Sequence, residues 1–301
     1  MNQRCTAVLL SLLLFPVLLH ARAEGHFDRT LTVSGAVSLD LTTGSGDVII
    51  KAGGGNQVVI HGRVQGSNWF SDSEGAVRQV ESNPPIQQSG NSIRIGYNLS
   101  EDVKRHVSIS YELTVPADTA LQVHTGSGGV EIEGVRSQVE ASSGSGDMRL
   151  RDLGGRVHVQ TGSGGIRAQD VAAPFYAHTG SGDIEAQLNG SGDVDIQTGS
   201  GSVQLRGVKG GLHARTGSGG IQVEGSVAGA WQLHTGSGNI HLAIGSGSGF
   251  NLYVHTGSGS IHSDLPITVQ GSMGRHELKG AVRGGGPEVE VSTGSGDVEI
   301  R

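Results

Sequence analysis

A four-residue phrase, Thr-Gly-Ser-Gly, returns at Thr125, Thr161, Thr179, Thr198, Thr216, Thr235 and Thr256, with Ser143-Gly-Ser-Gly filling the one vacant slot. Successive intervals are 18, 18, 18, 19, 18, 19 and 21 residues. A unit of that length cannot bury a core alone, because ordering its backbone costs more than its few apolar side chains return. The repeat therefore predicts a stacked array in which each unit is one rung.

With each rung numbered from its Thr as zero, positions −4, −2, 0, +5 and +7 are apolar or small, and +10 often is. One rung reads Val157, Val159, Thr161, Ile166, Ala168 and Val171; another reads Leu212, Ala214, Thr216, Ile221 and Val223. The intervening positions are polar, as in Gln122, His124, Glu131, His158, Gln160 and Arg167. Alternation on both sides of a Gly-Ser-Gly turn predicts two short strands per rung, each with one face inward. The glycines are expected to supply positive φ at the turn. A one-residue slip would turn the inward set to solvent, so the phrase also sets register. Eight such rungs at ~4.8 Å spacing make a rod roughly 38 Å long.

The flanks are less regular. Residues 1–23 hold Arg4, an apolar run from Ala7 to Leu19 and Ala21-Arg22-Ala23, which reads as a secretory signal peptide cleaved after Ala23. The run is too short for a spanning helix, and none is expected in the mature chain. The single cysteine, Cys5, leaves with the leader, so no thiol chemistry is expected. Losing Arg4 and Arg22 leaves 19 basic against 28 acidic residues, a balance of −9 that argues against a nucleic-acid partner. Fifty-two glycines raise the question of disorder, but the regular Val, Ile and Leu between them argue for packed strands.

Residues 24–120 read as an irregular β-unit continuous with the array and capping its first rung. It carries an early copy of the phrase at Thr43, an interruption from Gly66 to Gly90 compatible with a short helix, and strands at Ser92–Tyr97 and His106–Val115. Residues 121–301 hold the repeats. After Thr256 the spacing jumps to 37 before Thr293-Gly-Ser-Gly, with room for one degenerate rung around Gly271-Ser-Met-Gly and Gly284-Gly-Gly-Pro287. The chain stops at Arg301 on an expected strand, which either the interval caps or an open edge offers to another chain. The fold expected is all-β: a single-stranded β-solenoid (β-helix) of ~18-residue two-strand rungs, handedness undetermined, with a less regular N-terminal β cap.

The rungs, together with Asn83-Pro-Pro-Ile-Gln-Gln-Ser-Gly-Asn-Ser-Ile-Arg-Ile, Tyr111-Glu-Leu-Thr-Val-Pro and Gly284-Gly-Gly-Pro-Glu-Val, resemble the bacterial adhesin-type family of DUF4097 β-strand-repeat proteins. The likeness covers nearly all of the mature chain. It implies a β-solenoid in exported bacterial proteins and brings no functional residue to carry over.

Several chemistries compete with a purely structural role. Gly-Ser-Gly lacks the Lys-Ser/Thr or the strand-to-helix context of a phosphate loop. Asp47, Asp147, Asp183 and Asp297 stand at +4 as in calcium-binding repeats, but other rungs carry Gly or Ser there, and the period is double that motif's. Neighbouring rungs would place His234 beside His255 and His241 beside His262, weak candidates for a shared Zn²⁺ or Cu²⁺ site short of further ligands. No cofactor is expected. The +6 column Glu131, Arg149, Arg167, Glu185, Gln204, Gln222 alternates its charges, and no outward column sets two acids on adjacent rungs. The expectation is a non-catalytic exported scaffold in the periplasm, outside the cell or on its surface. It would bind a glycan, a cell-surface or envelope protein, or itself, edge to edge at the C-terminal strand. The alternative is a carbohydrate-active β-helix enzyme with a site near Trp69, Phe70 and Tyr97.

Overall fold

The computed structural model describes residues 23–67, 73–172, 174–269 and 274–301. The leader, Trp69, Phe70 and the Gly271-Ser-Met segment lie outside the described residues. Most of what is described is strand, laid out in two long sheets of 13 and 14 strands, here called A and B.

From Ala120 to Ser263 the chain alternates between the sheets. The strand preceding each phrase lies in sheet B and the one following it in sheet A. Equivalent strands pair in parallel: Val139 registers with Val157 and Val157 with Phe175 in sheet B, and Met148 with Ile166 and Ile166 with Ile184 in sheet A. Inward side chains of the two sheets meet in one continuous core, with Val157, Val159, Ile166 and Val171 fully buried.

The hydroxyl at position 0 is buried too, at 0–7 % exposure throughout the column. Such a group needs partners, and the neighbouring rung supplies one. Thr161 Oγ1 donates to the Gly146 carbonyl at 2.9 Å and accepts from its own Gly164 N–H at 3.3 Å. Thr179 donates to Gly164 at 2.8 Å, Thr198 to Gly182 at 2.9 Å and Thr216 to Gly201 at 2.8 Å. Ser143 does the same toward Gly128, which explains why the hydroxyl is kept there while the methyl is lost.

The glycines serve a different purpose from the expected one. From Gly126 to Gly238 none of the phrase glycines has a left-handed φ; among the described copies only Gly46, Gly259 and Gly296 do. Clearance is the constraint instead. A Cβ on Gly146 would sit 1.8 Å from the Gly128 carbonyl oxygen, and one on Gly164 would sit 2.0 Å from that of Gly146. Parallel stacking superposes the turns, so each carbonyl points at the next rung's Cα.

At the N-terminal side, Ser38–Thr43 and Val48–Gly53 flank the early phrase and pair in parallel with Ala120–Thr125 and Val130–Glu133. Beyond them sheet A continues through Val107–Pro116 to the antiparallel strands Gln57–Gly66 and Glu24–Thr32, and sheet B through the hairpin Ser92–Ile95 and Ile86–Ser89. Helix Ser73–Ser82 buries Val77 and Val80 and packs against both Glu24–Thr32 and Gln57–Gly66. Gly25 allows that approach, since a Cβ there would meet Val77 at 2.8 Å. A second helix, Glu101–His106, takes His106 out of the expected strand. Ser100 caps it, and its acidic first turn and basic last turn suit the helix dipole.

The C-terminal end departs from the sequence reading. Strand Glu288–Ser295 lies between Trp231–Ser237 and Phe250–Ser258, and Val298–Ile300 lies between Ile240–Ile244 and Ile261–Ser263. The last rung in sequence is therefore intercalated between the two before it. The C-terminal strand is not a sheet edge, correcting the open edge expected there. Nor does the preceding interval form a rung. Glu277–Val282 pairs antiparallel with Phe250–Ser258, and Ile267–Val269 pairs antiparallel with Glu277–Val282. The physical reason is the 21-residue step from Thr235 to Thr256, whose extra length lets the chain skip one strand spacing and leave a slot.

Candidate binding face

The intercalated rung overturns the adjacency of the histidine candidates. His234 and His255 each register with Ser292, and His241 and His262 each register with Glu299. Each pair is thus two strand spacings apart, roughly 10 Å. His234 Nδ1 lies 2.8 Å from Ser292 Oγ, His241 Nδ1 lies 2.9 Å from Glu299 Oε2, and His262 Nε2 lies 3.0 Å from Asp264. Glu299 is also held by Arg301 at 2.6 and 2.8 Å. Arg301 first, then His241, lowers its pKa below the ordinary carboxylate value. Among the described residues no three His, Cys, Asp or Glu side chains converge to hold a metal ion.

The +4 aspartates have work within the stack. Asp47 Oδ1 accepts from Gly129 N–H, Asp147 from Gly165, Asp183 from Ser202 and Asp297 from Ser260, all at 2.8–2.9 Å. Each clips its rung to the next, as a side-chain acceptor does at a helix N-cap.

Tyr97, expected near an alternative catalytic site, donates to Asp40 at 2.7 Å, and Arg94 stacks over its ring at 4.1 Å. Burial and then the Asp40 bond raise the phenol's pKa. The three groups satisfy one another and leave no free nucleophile.

Among the concave surfaces on the outer face of sheet A, two gather six or more ionisable side chains. One, of about 480 Å³, spans the rungs from Glu131 to Gln204 and is lined by Arg149, Arg151, Arg167, Arg206, Glu131 and Glu185 with three glutamines between them. Arg149 and Arg167 are register partners, so two guanidinium groups stand side by side on adjacent strands. Like charges so placed repel. Their acidic neighbours are held loosely: Arg149–Asp147 at 3.6 Å, and Arg167–Glu185 and Arg151–Glu133 at 4.0 Å. Arg206 makes no ion pair among the described residues. The +6 column foresaw Arg149 and Arg167; it missed Arg151 and Arg206, which the same rung arithmetic places at +8.

The other surface, about 650 Å³, lies on the N-terminal antiparallel strands. Register sets Asp28, His61 and Glu112 side by side, with His61 bonded to Asp28. No periodicity announces this trio, because it arises from strands outside the repeat. His61 and Asp28 remain 54 % and 67 % exposed, so water screens them, unlike the desolvated carboxyl of a general acid.

A family model described as Toastrack DUF4097 matches residues 36–301. No match was found among curated proteins. Similar solved structures include a protein named a "putative adhesin" from Bacteroides fragilis NCTC 9343, 12 % identical, covering 92 % of this chain and 97 % of its own, at a TM-score of 0.37. Another, named a "putative cell adhesion protein", is from Clostridium sporogenes ATCC 15579. It is 15 % identical, covers 92 % of this chain and 98 % of its own, and has a TM-score of 0.21. At such scores neither likeness carries an argument.

Proposed function

Because the chain belongs to the Toastrack DUF4097 family, we propose that it is a non-catalytic, exported β-solenoid that binds an acidic glycan at the envelope or cell surface. What supports export is the leader-like pattern of residues 1–23, Arg4 followed by the apolar run Ala7 to Leu19. The observation that carries the ligand class is the side-by-side pair Arg149 and Arg167, flanked by Arg151 and Arg206 on a shallow polar face.

Arginine forks bind carboxylates and sulfates in bidentate fashion. The exposed ion pairs that now occupy them contribute only ~0–1 kcal/mol each, so ligand anions can displace them. The face has no aromatic platform among its lining residues, which disfavours neutral sugars. Its two glutamates sit three strand spacings apart, roughly 14 Å between backbones. Glycosidase carboxyl pairs lie about 5–9.5 Å apart, and arginine is too basic to act as a general base.

Binding of polygalacturonate and neutral dextran to the mature chain tests this reading. Salt-sensitive binding of the acidic polymer is expected, weakened at least ~10-fold in Arg149→Gln/Arg167→Gln, the scale of losing charged hydrogen bonds. Equal binding of both polymers, or an unaffected double variant, would end it. Turnover of the polymer, lost in Glu112→Gln or His61→Gln, would move the function to the other surface.

A further inference from the structure

The last rung in sequence fills a slot between two rungs that precede it, and the slot's walls are alike. Trp231 and Leu252 both register with Val289, Leu233 and Val254 with Val291, Thr235 and Thr256 with Thr293, and Ile240 and Ile261 with Val298. Thr293 Oγ1 donates to Gly238 on one wall, and Thr256 Oγ1 donates to Gly296 from the other. These are the contacts made at every other rung, so nothing in them requires the inserted segment to come from the same chain.

The tether to this segment is short and bent. Arg283, Gly284, Gly285 and Gly286 have φ of 50°, 88°, 84° and 154°, and Arg283 is not a glycine. Arg283 Nη1 reaches across to the Gly245 and Ser248 carbonyls at 2.9 and 3.0 Å, pinning the tether to the loop that skips the slot. A tight, bent hinge favours exchange between copies, since an extended tether relieves the bend while every rung contact is remade.

We propose that residues 288–301 are an exchangeable rung, which a second copy of this chain can supply to the slot between the Thr235 and Thr256 rungs. Reciprocal exchange gives a closed two-fold dimer. This is independent of the glycan reading, which concerns the rungs from Glu131 to Gln204, separated from Val298–Ile300 by two strands of sheet A, Ile221–Gly225 and Ile240–Ile244.

Residues 24–301 contain no cysteine, so in that segment engineered pairs report on the slot directly. His234 and Ser292 face each other across one wall, and Tyr253 and Glu290 across the other. The double variants H234C/S292C and Y253C/E290C should each close a disulfide within one chain. Single variants mixed, unfolded together in denaturant and refolded under oxidising conditions should form covalent dimers, H234C with S292C and Y253C with E290C. Their yield should exceed that of an S292C and Q160C control by roughly tenfold or more, as expected when a shared slot raises effective concentration. Mixed singles no better than the control at either wall would overturn the proposal, since a seated rung touches both. Failure of the double variants to close a disulfide either within one chain or between two would remove the intercalated order, and the proposal with it.

Discussion

The hydroxyl of Thr293 donates to the carbonyl of Gly238 at 3.0 Å, although 55 residues separate them in sequence. From Ser143 to Thr235 this bond spans 15 or 16 residues, as in Thr179 to Gly164 or Thr235 to Gly219. Thr256 then donates to Gly296 rather than to Gly238. The buried hydroxyl column thus records the spatial order of the rungs, and that order differs from the order of the chain.

Thr179 has no exposure, donates at 2.8 Å and accepts from Gly182 at 3.1 Å. Thr179→Val keeps the shape but strands a carbonyl and an N–H, and should cost about 1–3 kcal/mol. Thr179→Ser should cost less, because Ser143 shows that the hydroxyl alone completes the bonds. Urea unfolding of the two variants side by side checks the difference.

Gly182→Ala would place a Cβ 2.0 Å from the Gly164 carbonyl oxygen. The unfolded-state benefit of alanine, about 0.4–1 kcal/mol, is then outweighed by overpacking of about 1–3 kcal/mol or more. At Gly247 an added methyl would meet no atom within 4 Å, and the backbone φ is ordinary, so alanine there should bring no loss. Thermal melts should separate the two substitutions clearly.

Glu299 has a folded-state pKa below its ordinary value, chiefly through Arg301 and then His241. A depressed carboxylate pKa contributes stability above the unfolded pKa, and that contribution fades as pH falls through the folded value. Carboxyl NMR titration should therefore find Glu299 titrating lower than a free glutamate. Arg301→Gln should raise its midpoint more than His241→Gln does. A larger rise in His241→Gln would show that the neighbour supplied by intercalation, His241, outweighs Arg301.

With Ser292 and Glu299 between them, His234/His255 and His241/His262 stand too far apart to share one ion. Added Zn²⁺ should leave the melting temperature of the mature chain unchanged, and H255Q and H262Q should melt with the same insensitivity. A zinc-dependent rise abolished by either variant would mean that the His rungs can come into direct contact.

Much of this architecture is legible in the sequence. Two-residue alternation around each phrase identifies Val157, Val159, Ile166 and Val171 as inward, and all are buried between parallel strands. Arg149 and Arg167 can be placed side by side by counting alone, because a constant step puts equal positions in one column. The reason for the glycines cannot be read in this way. Positive φ and lack of clearance favour the same residue, and only the carbonyl 1.8 Å from a Cβ on Gly146 tells them apart.

The repeating part is thus written in the order of residues: period, register, inward face and the hydroxyl that every rung needs. These follow from local chemistry repeated at a fixed step. Which rung stacks on which emerges only in three dimensions, and with it the fact that Glu299 rather than His262 neighbours His241. Copies of one phrase make interchangeable contacts, so their order depends on the reach of the connecting loops and on which arrangement fills the gap left by the longer step after Thr235. The trio Asp28, His61 and Glu112 escaped for a related reason: antiparallel pairing outside the repeat brings together residues that no periodicity links.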